Sequence, residues 1–121
     1  MSSLRLALAA ALLLIISGCG SSYSTPTTPT TPSGNGTPVS IVSGASVLTT
    51  TAFSPSPVTV AVGGSVTWTN HDNTTHTSTG STWNSGSIAP GGNYTMSFPT
   101  AGTFSYHCSI HPGMTGSVTV Q

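Results

Sequence analysis

A cysteine, a histidine and a methionine follow one another at intervals of three residues near the C-terminal end of the chain, at Cys108, His111 and Met114. A thiolate, an imidazole and a thioether supply two soft sulfur donors and one nitrogen donor, which suit copper better than magnesium or calcium. Gly113 and Gly116 flank the methionine, and its position after two ligands favours a weak axial ligand over a core side chain. The segment therefore predicts a copper site.

A copper centre of this kind needs a second imidazole. His76, in the loop after a strand-like segment at 66–69, is the natural supplier. His71 lies in the same loop and remains the alternative, because the sequence does not show which of the two side chains points inward. His107 is expected at the surface, since successive residues of a strand face opposite ways and Cys108 takes the inward face.

The elements that must position these residues have a hydrophobic period of two, which indicates strands with one buried face. Glycine-containing turns separate them, and no segment carries a helical stripe. Many short strands at this spacing predict an all-β sandwich or barrel, with Trp83 also packed in its core. The residues predicted to face inward are Val58, Val60, Val62, Val66, Trp68, Tyr94, Met96, Phe98, Phe104, Tyr106, Cys108, Val118 and Val120.

Charged side chains are almost absent: Arg5 is the one basic residue among Lys and Arg, and Asp72 is the one acid. Nucleic-acid binding is excluded, because no cluster of cations exists to neutralise phosphates. A hydrolase is disfavoured as well, since a single carboxylate cannot form an acid–base pair. Four ligands would also leave no open position on a catalytic metal. We expect a protein that is not an enzyme and is steered little by charge.

Residues 1–18 have the pattern of a signal peptide, with Arg5 in the basic region followed by a continuous apolar run. The Ile-Ser-Gly-Cys sequence that ends at Cys19 resembles the lipobox of bacterial lipoproteins, in which the cysteine is lipidated and becomes the first mature residue. An ordinary signal peptide is one alternative, and a disulfide between Cys19 and Cys108 is another. The pattern predicts an exported protein, on the periplasmic or cell-surface side, anchored in a membrane through Cys19.

Residues 19–37 continue from that cysteine as a disordered linker of Ser, Thr, Pro and Gly, whose composition cannot build a core. The prolines favour extended conformations of about 3 Å per residue, so the linker holds the rest of the chain away from the membrane. The folded domain is expected at 38–121.

The chain from about Ser54 onward resembles the cupredoxin family, in its plastocyanin and amicyanin branch. The short ligand loop, with two residues in each gap, is more similar to amicyanin. The resemblance rests on Val-Gly-Gly-Ser-Val-Thr-Trp-Thr-Asn at 62–70, His76, Ser85-Gly86, Ile88-Ala89-Pro90-Gly91, Phe98, Ala101-Gly102-Thr103-Phe104-Ser105-Tyr106-His107-Cys108, His111, Met114 and Gly116.

The resemblance implies a Greek-key β-sandwich with one type 1 copper ion at one end. It places His76, Cys108 and His111 in a trigonal plane, with Met114 further away along the axis. The family often has Asn after the first histidine, bonded across to the residue after the cysteine. Here Thr77 and Ser109 take those positions, and the threonine hydroxyl is the candidate for the same link.

The function implied by the resemblance is the transfer of single electrons by Cu(I)/Cu(II) cycling. A redox partner would dock at an apolar patch around His111, formed by Pro112 and Ile110, and the protein would be a monomer. A copper-handling protein without electron transport uses the same ligands and remains the main alternative. A purely structural sandwich is disfavoured, because the motif and the strand order agree with each other.

Overall fold

The computed structural model describes residues 36–121 of the chain. The predicted signal peptide, the predicted lipidation site at Cys19 and all but the last two residues of the predicted linker lie outside the described residues. The described part contains eight strands and one turn of 3₁₀ helix, Ala45–Val47. The strands are β1 (Thr37–Ile41), β2 (Phe53–Ser54), β3 (Val58–Val60), β4 (Ser65–Asn70), β5 (Thr79–Gly80), β6 (Asn93–Ser97), β7 (Gly102–His107) and β8 (Thr115–Val120).

Two four-stranded sheets face each other, with strand orders β2-β1-β4-β6 and β3-β8-β7-β5. The pair β1 and β4 is parallel, as is the pair β3 and β8, and the other neighbours are antiparallel. From β2 to β7 the chain changes sheet at every connection. The predicted all-β Greek-key sandwich is therefore confirmed. No helix among residues 36–121 is long and apolar enough to cross a membrane.

The alternation predicted from the sequence corresponds to the buried faces of the strands. Val58 and Val60 on β3 and Val118 and Val120 on β8 are buried between the sheets. Val62 departs from the prediction: β3 ends at Val60, and the side chain of Val62 is 52% exposed. The alternation continues past the strand into the Gly63-Gly64 turn, where it no longer decides which way a side chain points.

An aromatic cluster fills the centre of the sandwich around Trp68, which is fully buried. Its ring centroid lies 5.3 Å from that of Tyr106 and 6.0 Å from those of Trp83 and Tyr94. Glycine is required at position 80, because a Cβ atom there would come within 2.4 Å of the Trp83 ring. Trp83, which lies outside the regular strands, therefore packs in the core as predicted.

Both segments that carry the candidate ligands leave the sandwich at the same end. Asn70 closes β4 before the loop that contains His76, and His107 closes β7 directly before Cys108. The chain re-enters the second sheet at Thr115, one residue after Met114. Strands of both sheets therefore anchor the two loops: β4 precedes the loop that contains His76, and β7 and β8 flank the loop from Cys108 to Met114.

Candidate metal centre

Three side chains from the two loops converge on one point. The Nδ1 atoms of His76 and His111 are 3.2 Å apart, and they lie 3.8 and 3.9 Å from the Cys108 Sγ atom. A metal ion such as zinc lies about 2.0 Å from a histidine nitrogen and about 2.3 Å from a thiolate sulfur in proteins. A nitrogen and a sulfur that bind the same ion therefore lie at most about 4.3 Å apart. All three separations fall within this limit. His76, Cys108 and His111 are thus positioned as ligands of a single ion.

The chemistry of the donor set fits copper. Two imidazoles and one thiolate in a trigonal arrangement are typical of copper centres that transfer electrons. His76 and Cys108 are fully buried, whereas His111 is partly exposed at the end of the sandwich. The backbone N–H of Thr77 donates to the cysteine sulfur at 3.3 Å, which stabilises a thiolate. The set lies in a protected site with one imidazole facing outward.

The loop before His76 is shaped by the buried side chain of Asn70. Its Nδ2 group donates to the carbonyls of Thr74 at 2.8 Å and Ile88 at 2.9 Å, and its Oδ1 accepts the N–H of Asp72 at 2.9 Å. His76 and Ile88 also exchange a pair of backbone hydrogen bonds. A buried amide with its partners satisfied makes the loop more rigid, so it contributes to the loop conformation in which His76 points inward.

The second ligand loop closes on itself through the backbone. Cys108 N–H donates to the carbonyl of Met114, and Met114 N–H donates to that of His111, each at 3.0 Å. The Met114 side chain is fully buried. Thr115 N–H donates to the Thr49 carbonyl at 3.3 Å, which ties the loop to the segment after the 3₁₀ turn. The three-residue spacing therefore corresponds to a tight, hydrogen-bonded loop that ends in the next strand.

The two remaining histidines lie outside the cluster. His71 is exposed, and its backbone N–H donates to the carbonyl of Ile41. His107 is exposed on β7, opposite Thr79, while Tyr106 and Cys108 on either side of it are buried. The strand alternation thus predicts the orientation of His107 correctly. Of the two histidines in the first loop, His76 is the one that joins the cluster.

Asp72 is a functional candidate that was not predicted from the sequence. Its Oδ2 atom lies 2.8 Å from Nε2 of His76, the ring nitrogen opposite the one that faces Cys108. Hydrogen bonds from the His76 side chain and the Gly44 backbone hold the pKa of the Asp72 carboxyl well below its usual range. A signal was present in the sequence: the one acidic residue of the chain stands four residues before a candidate ligand.

Fold and donor set together define a small β-sandwich protein with one mononuclear metal site. No protein-family model matches the chain. The plastocyanin of Scenedesmus fuscus is 37% identical over 84 residues, which span 57% of this chain and 86% of that protein. The chloroplastic plastocyanin of Tetradesmus obliquus is likewise 37% identical over 84 residues, which span 58% of it.

Solved structures show the same likeness in three dimensions. A purple cupredoxin from Nitrosopumilus maritimus matches with a TM-score of 0.67 and 30% identity over 70% of this chain and 99% of that chain. A reduced Cu(I) form of an amicyanin variant matches with a TM-score of 0.61 and 26% identity, over 71% of this chain and 82% of that chain. This chain belongs to the cupredoxin family.

Proposed function

We propose that this protein is a blue copper electron carrier that holds one type 1 copper ion through His76, Cys108, His111 and Met114. The observation that carries the proposal is the convergence of two imidazole nitrogens and one thiolate sulfur within 3.9 Å of one another. Met114 is fully buried and its backbone is hydrogen-bonded to both Cys108 and His111, which supports its thioether as the fourth donor. When bound, copper supplies one-electron chemistry by cycling between Cu(I) and Cu(II).

The protein's own contribution is a set of donors that stays in place. Backbone hydrogen bonds join His76 to Ile88 and Cys108 to Met114. Donors held by strands of two sheets need little rearrangement when the charge at the site changes by one unit. The edge of His111 is the part of the cluster that reaches solvent, so it is the proposed route for the electron.

The proposed docking surface surrounds His111 and is apolar. Ile110 is 49% exposed, and Pro112 is exposed on the other side of the histidine. Val47, 85% exposed, lies on the 3₁₀ turn, and the Thr49–Thr115 hydrogen bond ties the segment after this turn to the same end. Asp72 is the one acidic side chain of the chain and is buried. A redox partner would therefore recognise shape and apolar contact rather than charge.

The proposed location follows from the N-terminal sequence. A signal segment at 1–18 and a lipobox-like cysteine at Cys19 support export and attachment to a membrane through lipid. The linker that follows would leave the copper domain free to meet its partner as a monomer. Detergent partitioning of the chain, compared with that of a Cys19→Ser variant, tests this location. Equal partitioning of both into the aqueous phase would count against the anchor.

The proposed activity is tested by adding Cu(II) to the purified full-length chain in detergent and recording visible absorption and electron paramagnetic resonance. An intense thiolate-to-copper absorption band is expected, and it should be absent from a Cys108→Ser variant. A colourless wild-type product would overturn the blue-copper assignment. A coloured product with very slow electron self-exchange would instead favour a copper-handling protein.

A further inference from the structure

We infer that Asp72 is a positioning residue for the copper site: its carboxylate fixes the ring of His76 and favours Cu(II) over Cu(I), which lowers the reduction potential. The inference rests on the proposed copper site. It concerns a group outside the four proposed ligands, and it gives a role to the one acidic side chain of the chain.

The two nitrogen atoms of the His76 ring have different partners. Its Nδ1 atom faces Cys108 and His111, while its Nε2 atom lies 2.8 Å from the Asp72 carboxylate. An ionised carboxylate only accepts hydrogen bonds, so the ring proton must be on Nε2. The lone pair of Nδ1 is then free for a metal ion. The carboxylate therefore selects the ring form that binds copper.

Hydrogen bonds to both oxygen atoms fix the orientation of the Asp72 carboxylate. Its Oδ1 atom accepts the backbone N–H groups of Gly44 at 3.0 Å and Asn73 at 2.8 Å, and Thr74 donates its hydroxyl to Oδ2 at 2.9 Å. The residue is only 5% exposed. Each oxygen thus receives two donors, counting the His76 ring. An asparagine at this position would have to turn its NH₂ group towards two of these donors.

The negative charge of Asp72 also affects the copper site. A carboxylate hydrogen-bonded to a metal-bound imidazole makes that imidazole a stronger donor. A stronger donor and a nearby negative charge both stabilise Cu(II), with its higher charge, more than Cu(I). No other Asp or Glu and no Lys or Arg occurs in residues 36–121. The influence of Asp72 on the site is therefore not opposed by another fixed side-chain charge in this part of the chain.

The competing interpretation is that Asp72 only holds the loop to Gly44. The stability of the copper-free protein alone would not separate the two roles, because a substitution of Asp72 also weakens its contact with Gly44. The reduction potential and the ring form of His76 do separate them, since a purely structural contact would change neither in a defined direction.

The test compares the copper-loaded full-length chain with Asp72→Asn by voltammetry. We expect the ratio of Cu(II) to Cu(I) affinity to fall about tenfold or more, and a tenfold fall raises a one-electron potential by about 59 mV. Thr100→Lys is the matched control: it changes the net charge by the same amount at an exposed turn, before β7 and at the far end of the sandwich. Its potential should remain that of the wild type.

Nitrogen NMR of the copper-free protein gives a readout that does not depend on loading. The wild-type His76 ring should carry its proton on Nε2, and the Asp72→Asn ring should shift towards protonation on Nδ1. If Asp72→Asn fails to fold, Thr74→Val serves in its place. The Thr74 hydroxyl lies 2.9 Å from Oδ2 of Asp72 and 3.1 Å from Nε2 of His76, so this change removes a competing donor to the carboxylate and a competing acceptor for the ring N–H. The hydrogen bond between Asp72 and His76 should strengthen, and the potential should fall.

The outcomes are distinct from those of the proposed function. A colourless wild-type protein would overturn the copper site itself. A coloured wild type whose potential and ring form are unchanged in Asp72→Asn would overturn only the role of Asp72. A potential that Thr74→Val raises or leaves unchanged would also overturn it.

Discussion

Ser109 donates its backbone N–H to the hydroxyl of Thr77 at 2.8 Å, and the two side-chain oxygens lie 3.0 Å apart. These contacts join the loop that carries His76 to the loop that carries Cys108. The hydroxyl of Thr77 thus makes the link that the resemblance assigns to a longer amide. These contacts therefore connect the two ligand loops directly, in addition to the strand that precedes each of them.

Thr77→Val is expected to break this link while leaving the Thr77 backbone bond to sulfur in place. The Ser109 N–H would lose its partner, and because Ser109 is exposed, water can take the place of the hydroxyl; the expected cost is about 0.5–1.5 kcal/mol. Urea unfolding of the copper-free protein measures the loss. Thr79→Val is the control, because among residues 36–121 its hydroxyl hydrogen-bonds only to that of Thr77, at 2.9 Å. Equal effects from the two variants would contradict the proposed link.

Met114→Leu is expected to raise the reduction potential and to leave the visible band in place. The volume is nearly conserved, so the fold should lose less than about 1.5 kcal/mol. As the proposed axial ligand, the thioether would be a weak donor that stabilises Cu(II), and leucine has no donor. Met96→Leu removes a thioether outside the two ligand loops and should leave the potential unchanged. An unaltered potential in Met114→Leu means that another group is the axial ligand.

Ile110→Lys is expected to slow electron self-exchange between oxidised and reduced copies about tenfold or more at low salt, because two like charges would meet at the docking face. Added salt should restore part of the rate by screening. Self-exchange of the wild type should depend little on salt. NMR line broadening in mixtures of the two redox states measures the rates. Val62→Lys adds the same charge in the turn before β4, where a slowing of similar size would argue against the apolar patch.

Alkaline pH is expected to destabilise the fold through Tyr106. Burial raises the pKa of this phenol from 10.0 to about 12, so between these values the unfolded chain has lost a proton that the folded chain keeps. The free energy of unfolding therefore falls as pH rises through this window, by about 2–3 kcal/mol in total.

Urea unfolding of the copper-free protein between pH 9 and 12 measures the alkaline effect. Tyr106→Phe should flatten the curve at little cost, because the contact between its buried hydroxyl and the Trp68 side chain is too weak to satisfy either group. Tyr94→Phe, at a half-buried position, should keep the wild-type slope. A wild-type slope in Tyr106→Phe would assign the effect to another group.

Local spacing was sufficient to predict the ligand loop, and strand alternation was sufficient to predict β3, β4, β6, β7 and β8. The spacing from Cys108 to Met114 fits within one hydrogen-bonded loop, and the alternation along β7 corresponds to one buried face. The alternation of side chains along the strand also predicted the orientation of His107. These features depend on residues close together in the chain, where sequence patterns are most informative.

The features that the sequence did not predict depend on contacts between distant residues. Strand β1 has only two inward residues and follows a Pro/Thr-rich segment, and its parallel partner β4 begins 24 residues after β1 ends. The sequence favoured His76 and left His71 as an alternative, because the loop conformation also involves a hydrogen bond between Asn70 and Ile88, which are 18 residues apart. The position of Asp72 depends on Gly44, which is 28 residues earlier. Only the folded sandwich brings these partners together.

Because charged side chains are scarce in residues 36–121, the gain or loss of one electron has a large effect on the net charge of this region. The fixed side-chain charge of this region, histidines aside, is the single carboxylate of Asp72. Gain or loss of one electron changes the net charge by an equal amount, so the two redox states would differ in isoelectric point more than those of a highly charged carrier. Isoelectric focusing under air and under a reductant should resolve them as separate bands.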